Sequence, residues 1–359
     1  ASKGSVMKIG IMAGPWLTVP PSGYGGSELV IDALARGFAA AGHEVMLWTT
    51  GDSTCPVPSA HRYPVAQMPR IGQIDCEVQH LVDGYEALWS WGADIVHDHT
   101  VIGPLFGQSN GDHVLLTTNH GPFDTEAASL YRILAGQVPI VAISRDQASR
   151  APAGSVTTVI HHGIDIDEVP VGDGAGDRYG PYFAFLGRMA PDKGVHTAIG
   201  AARAAGVRLL IAAKMRDPAE HRYFDEHIRP LLGDGIEYIG EVAAADKSAF
   251  LGAAVALVNP IEWPEPFGLV MVESLATGTP VITRSIGSAP ELIDDGLTGF
   301  ICSDVAGLTA AIHAVWSLDR SVCRAVATER FDSSRMVQEH LGLLEALVSQ
   351  PGSASLRLA

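Results

Sequence analysis

Cysteine is scarce in this sequence and scattered. Cys55, Cys76, Cys302 and Cys323 form no CxxC pair, which argues against a zinc knuckle or a disulfide framework. Long apolar runs are missing too. The longest, such as AAVALV at 253–258, fall far short of the ~18 residues that a membrane-spanning helix requires, so no transmembrane segment is expected. Basic charge is thin: 24 Lys and Arg stand against 40 Asp and Glu, a formal net charge of −16 with no local basic cluster. A nucleic-acid partner is therefore not expected. Short internal repeats and low-complexity tracts are absent, and with no export signal in view the cytoplasm is the expected compartment. The opening ASKGSV reads as an addition ahead of a natural start at Met7, which leads directly into the strand-like KIGIM.

What is present is ordinary globular composition on a scale that suits two domains: 359 residues, 47% of them hydrophobic. KIGIM is followed by ELVIDALARGFAAAGH, whose apolar residues recur at helical spacing up to Gly42, and then by EVMLWTT, DIVHDH, VLLTTNH and PIVAIS, each strand-like. This alternation is the rhythm of a parallel, doubly wound α/β sheet. The segment IDEVPVGDGAGDRYGP at 166–181 is rich in glycine, carries two prolines and reads as a flexible linker. The rhythm then restarts with YFAFLGR, HTAIGAARAAG, VRLLIAA, EYIGEV, AVALVNP and PVITRS. Two Rossmann-like domains are thus expected, at 7–170 and 171–331. An amphipathic helix follows at 332–350, expected to pack back on the first domain and to end in a frayed tail.

Ligands of open α/β sheets sit beyond the carboxyl ends of the strands. After the first strand, Gly25 and Gly26 open a helix, where bare backbone and the helix N-terminus can hold an anion, although taken alone the pattern reads first as a plain turn. His97 and His99 share a face of one strand, but no third ligand is near in sequence, so lining or packing is expected rather than metal. His120 closes the next strand ahead of Gly121 and Pro122; the sequence leaves a structural and a functional role equally open. In the second half, Arg188 follows a strand and Lys193 precedes a helix. A fixed guanidinium fork with a mobile ammonium suits a diphosphate.

The stretch EPFGLVMVE places Glu265 and Glu273 around an apolar run. Pro264 and Pro266 stiffen the backbone about Glu265, and a helix is predicted from Phe267 to Thr277 with Gly278 as its stop. At ~100° per residue the two carboxylates lie about 80° apart around the axis, so they reach different parts of one extended ligand. The amides of Phe267, Gly268 and Leu269 would point out of the helix start between them. Carboxylate, amide nest and carboxylate together suit a molecule with hydroxyls at both ends and phosphates between, the layout of a sugar nucleotide.

At this point the chain resembles glycosyltransferase family 4, the retaining sugar-nucleotide transferases of GT-B fold. GRMAPDKG, EPFGLVMVE, ATGTPVI, GSAPELI and GLTGF stand in the family's order and approximate spacing, and GYGGSE, HDH, NHGP and IHHGID match its N-terminal half. The resemblance implies two Rossmann-like domains facing each other across a cleft, the first on the acceptor side and the second on the donor side. It implies that Arg188 and Lys193 hold the donor diphosphate, that Gly25 and Gly26 touch it, and that Glu265 binds the donor sugar beside the amides of Phe267, Gly268 and Leu269. Glu273 would bind the ribose and His120 would sit near the reacting sugar, so that Glu265, His120, Arg188 and Lys193 carry the transfer. The sequence departs from the family at AAKMRDP, which sets Lys214 near the donor in place of a glycine-rich turn, and at His162, where asparagine is commoner.

The implied reaction moves a sugar from a UDP-, GDP- or dTDP-sugar to a small-molecule or glycan acceptor, with retention and by front-face attack. No metal and no cofactor are expected, because cations and a helix N-terminus can stabilise the departing diphosphate. The competing readings are a sugar-nucleotide epimerase or phosphorylase of the same fold, and a non-catalytic two-domain sugar-binding protein. Acceptor, donor sugar, base and oligomeric state stay open.

Overall fold

A computed structural model describes residues 5–23, 25–108, 113–124 and 126–349. The first four residues of the expected N-terminal addition, Tyr24 of the glycine turn and the tail from 350 lie outside the described residues. The chain divides into two compact units: Ala1–Ile164 with Ser333–Ala359, and Asp165–Asp332.

The first unit holds β1 (Lys8–Met12), β2 (Glu44–Thr49), β3 (Ser59–His61), β4 (Ile95–Asp98), β5 (Val114–Thr118), β6 (Ile140–Ala142) and β7 (Thr158–Val159). They form one sheet in the order β3-β2-β1-β4-β5-β6-β7, and every pairing is parallel. The sheet is buried on both faces, which is why IVHD and VLLTT read as runs rather than as alternations. The helix Gly26–Ala40 buries Val30, Ile31, Leu34 and Phe38 along one stripe. The terminal helix, Ser333–Val348, packs on it so closely that a Cβ on Gly37 would lie 2.3 Å from Val337.

The second unit holds β8 (Phe183–Arg188), β9 (Leu209–Lys214), β10 (Ile236–Gly240), β11 (Leu257–Asn259), β12 (Val281–Arg284) and β13 (Gly299–Cys302). Their order is β10-β9-β8-β11-β12-β13, again all parallel. In both sheets the winding reverses once, between β1 and β4 and between β8 and β11, and the crevice at such a reversal is where open α/β sheets bind ligands.

The glycine-rich segment expected to be a flexible linker is tied down along the second unit. Gly172 donates to the Thr277 carbonyl, and Gly174 and Gly176 to those of Gly252 and Ala253. The guanidinium of Arg320 binds the carbonyls of Gly172, Gly252 and Ala254. Its glycines answer to close backbone approach: a Cβ on Gly172 would stand 2.1 Å from the Gly252 oxygen.

Candidate functional site

The winding reversal of the second sheet brings the sequence-predicted cations and Glu265 together. Arg188 ends β8 and Lys214 ends β9, and the two are register partners on adjoining strands. The turn after β8, Pro191–Lys193, closes with Gly194 at φ 72°, where a Cβ would meet the Pro260 carbonyl at 2.1 Å. Only glycine fits both the left-handed backbone and that approach. This contact, with Glu262 donating its amide to the Asp192 carbonyl, locks the turn after β8 to the loop after β11.

Lys193 is consequently aimed at Glu265, with Nζ 2.6 Å from Oε1 and the two side chains only 9% and 17% exposed. The ammonium also lies 5.3 Å from the centre of the Trp263 ring, over its face. Arg188 contacts Asp192 at 2.9 Å and Glu220 at 3.5 Å. Glu220 accepts the amide of Arg216 at 2.7 Å and caps the helix Pro218–Tyr223. Burial pushes its carboxyl up, but those amides and the neighbouring Arg188 and Lys214 outweigh this and hold it below its ordinary value. Lys214 is buried, and burial, reinforced by Arg216, brings its ammonium down to about 8.

The helix in EPFGLVMVE is shorter than the sequence suggested: it runs Leu269–Ala276, with Gly268 as its cap at φ 83°. Pro266 favours an earlier start, but the left-handed turn at Gly268 reverses the chain first and drives Phe267 into the core, edge-on to Phe331. The amides of Leu269 and Val270 therefore stand in the first turn. The loop ahead of the helix is held by Ser288, whose amide donates to the Glu265 carbonyl at 3.1 Å and whose hydroxyl donates to that of Phe267. Glu273 lies inside the helix and pairs with Lys247 at 2.7 Å.

Gly25, Gly26 and His120 lie in the first unit. Gly25 caps the helix that Gly26 begins, and the carboxylate of Glu28 stands 2.9 Å from where a Cβ on Gly25 would be, so that helix start already faces an acid. His120 follows β5 with both ring nitrogens engaged, Nε2 to His99 Nδ1 at 2.9 Å and Nδ1 to His162 Nε2 at 3.2 Å. His97 bonds Thr118 at 2.8 Å. Among the described residues no group of three or more His, Cys, Asp or Glu is arranged to hold a metal ion, and no helix is long and apolar enough to cross a membrane.

Sequence reasoning missed Asp192, Glu220, Trp263 and Lys247. The Asp217-x-x-Glu220 pattern is a capping-box signature that could have found Glu220. Lys247, 26 positions before its partner, carries no local signal.

Comparison with known proteins agrees with this layout. A family model described as Glycosyltransferase Family 4 matches residues 24–168, and one described as Glycosyl transferases group 1 matches residues 180–317. The glycogen synthase of Mycobacterium tuberculosis is 34% identical over 172 residues, 46% of this chain and 41% of that protein. A D-inositol 3-phosphate glycosyltransferase of a Mycobacterium species is 27% identical over 186 residues, 48% of this chain and 42% of that protein. The matched region thus spans less than half the length of these curated relatives. In fold, the chain is similar to sucrose-phosphate synthase from Thermosynechococcus elongatus, at TM-score 0.79 and 19% identity over 95% of this chain and 99% of that one. It is also similar to Anabaena HepE, solved in complex with UDP-glucose, at TM-score 0.73 and 21% identity over 95% and 100%. With one family model on each half of the sequence and two doubly wound sheets in the structure, the chain belongs to the family 4 glycosyltransferases of GT-B fold.

Proposed function

We propose that this chain transfers a sugar from a nucleoside-diphosphate donor to an acceptor hydroxyl, with retention of configuration and without a metal ion. The observation that carries the reading is the gathering of Arg188, Lys193 and Lys214 with Glu265 at the ends of β8, β9 and β11. Two cations on adjoining strand ends and an ammonium–carboxylate pair on the loops beyond match a ligand that is a diphosphate at one end and a polyhydroxyl ring at the other. Lys193 spends one donor on Glu265 and keeps two for phosphate oxygens; Glu265 keeps a second oxygen for a sugar hydroxyl. That HepE, a protein of like fold, was solved with UDP-glucose supports a nucleotide sugar as donor. UDP-, GDP- and dTDP-sugars are the candidates, and a small molecule or a glycan is the acceptor.

In the transfer step the bond between the anomeric carbon and the diphosphate oxygen breaks, and its electron pair stays on the diphosphate. Arg188, Lys193, Lys214 and the amides of Leu269 and Val270 stabilise the charge that builds there, the part a metal ion would otherwise take. The acceptor oxygen bonds to the anomeric carbon from the same face, and its proton passes to the departing diphosphate. Glu265 orients the sugar, Glu273 with Lys247 holds the ribose, and His120 of the first unit takes part in the transfer step.

The test is acceptor-dependent release of nucleoside diphosphate, preceded by a thermal-shift screen of the three donor classes. A donor at a hundred times its dissociation constant should add ~2.7 kcal/mol to stability. Turnover should be the same with EDTA as with added magnesium or manganese. A rate that disappears with the chelator and returns with metal overturns the metal-independent mechanism.

A further inference from the structure

Five imidazoles stand in file in the first unit. In the order His340, His97, His99, His120 and His162, successive ring centres are 5.1, 4.1, 5.2 and 5.1 Å apart. They come from separate places in the sequence: His97 and His99 from β4 and the residue after it, His120 from beyond β5, His162 from beyond β7, and His340 from the terminal helix. All but His120 are buried. The last three are joined end to end by the two nitrogen–nitrogen bonds already described.

We propose, on the reading that His120 takes part in sugar transfer, that His99 and His162 are positioning residues that clamp the His120 ring from both sides and fix its tautomer. The geometry limits the proton arrangements to two. An uncharged imidazole has one N–H and one bare nitrogen, so protons run either from His99 toward His162 or the reverse. Each order puts a proton on one buried outer nitrogen, Nδ1 of His162 in the first and Nε2 of His99 in the second. In either order His120 carries one proton, on the nitrogen that faces the bare nitrogen of one neighbour, while its own bare nitrogen faces the proton of the other. His340 has the Nδ1–H form, since its Nδ1 donates to the Met336 carbonyl at 2.9 Å.

The groups that act on the file favour the uncharged state. They are the five rings themselves, His161 and Arg335, whose guanidinium is bound to the carbonyls of His161 and His162 and pairs with Glu339. Burial above all, with His340 adding to it, brings His120 down to about 4. An uncharged His120 suits a reaction in which the sugar itself gains positive charge, because a protonated ring beside it would oppose that charge.

The experiment compares His162→Gln with His162→Ala in the full chain. A glutamine amide reaches about as far as imidazole Nε2 and can accept from His120 Nδ1 or donate to it; alanine removes the partner and admits water. Histidine-selective 15N NMR of the unliganded protein reads the His120 tautomer and its titration, and steady-state rates with a nucleotide sugar read kcat and KM. The native His120 should show a single tautomer, Nδ1–H or Nε2–H. His162→Ala should lose that preference, shift the acid limb of kcat upward toward 6.5, and lower kcat by at least about tenfold with KM little changed. His162→Gln should restore all three. An unchanged His120 resonance and acid limb in His162→Ala overturn the clamp, as do equal kcat losses in both variants with lowered melting temperatures. If the native chain turns over none of the donors, the transfer reading fails, while the NMR comparison still decides the clamp.

Discussion

At the strand ends of the second unit, each carboxylate named above faces a cation: Glu265 faces Lys193, Glu273 faces Lys247, and Asp192 and Glu220 face Arg188. At the strand ends of the first unit, five rings that ionise near neutrality in water face one another. The two arrangements answer differently to what enters them. A buried ion pair costs desolvation that its own attraction only partly offsets, so a ligand carrying phosphates and hydroxyls can share both partners at little loss. A file of neutral imidazoles meets its penalty when a proton arrives. The strand ends of the second unit are thus organised for a charged ligand, and the histidine file is organised against charge.

The largest test of this contrast is acid. His120 and His340 are both brought down to about 4, chiefly by burial, from an ordinary value near 6.5 in the unfolded chain. Below 6.5 the unfolded state binds more protons than the folded one, so stability rises with pH through this window. It is complete above 6.5 and is lost as the pH falls toward about 4. One such histidine accounts for on the order of 3 kcal/mol. Urea unfolding between pH 7.5 and 4.5 should show the loss, and His340→Phe, which keeps a ring and removes the proton site, should flatten it. A slope that stays the same in the variant would place the acid sensitivity elsewhere.

The next effect is at Glu265. Glu265→Ala should lower turnover about a hundredfold, the scale of a ~1 Å misplacement of the sugar, while affinity for free nucleoside diphosphate stays the same or rises. Lys193, freed from its 2.6 Å partner, then has a further donor for phosphate. Calorimetry with the diphosphate beside rates with the full donor measures both; a loss of diphosphate affinity would mean that Glu265 holds the loop rather than the sugar.

Glu273→Ala should act the other way, on nucleotide binding rather than on turnover. A ribose hydrogen bond to a charged acceptor contributes about 1.5–3 kcal/mol, and free diphosphate should weaken accordingly. Because Lys247 shares that carboxylate at 2.7 Å, Lys247→Ala should reproduce part of the loss, and the double variant should lose less than the sum. Strict additivity would separate the pair from the ribose.

These residues differ in how visible they were beforehand. The strands lie where β-rich runs placed them, and Arg188, Lys193 and Glu265 could be picked out because glycine and proline punctuate the strand ends around them. The edge strands β3 and β7, with three and two residues, are too short to carry a period. The helix start at Leu269 was obscured because Pro266 signals a first turn while Gly268 overrides it through its backbone. Pairings across the sheet were not legible at all. Lys193 and Glu265 are 72 positions apart, and nothing local marks one as the partner of the other. The histidine file shows the same limit more strongly. Each ring, taken alone, reads as an ordinary core or strand-end residue, and only the packing of β4, the loops after β5 and β7, and the terminal helix sets the five in line.

The smallest expected effect falls on Lys214, where the charged site borrows a property of the neutral one. Lys214 is buried, as four of the five histidines are, and burial, reinforced by Arg216, brings its ammonium to about 8. It is charged below that pH and neutral above it. A bound diphosphate holds the proton on, so binding above pH 8 must first take one up from solvent. Affinity for nucleoside diphosphate should therefore be level from pH 6.5 to 7.5 and fall by roughly tenfold by pH 9, the limit for one linked proton. Lys214→Met should bind more weakly at pH 7 and lose the dependence, because the proton taken up is the one on Lys214. Calorimetry at pH 7, 8 and 9 in two buffers of different ionisation enthalpy measures both the affinity and the proton taken up. A native profile that stays level to pH 9 would remove Lys214 from the diphosphate and leave it a buried neighbour of Arg188.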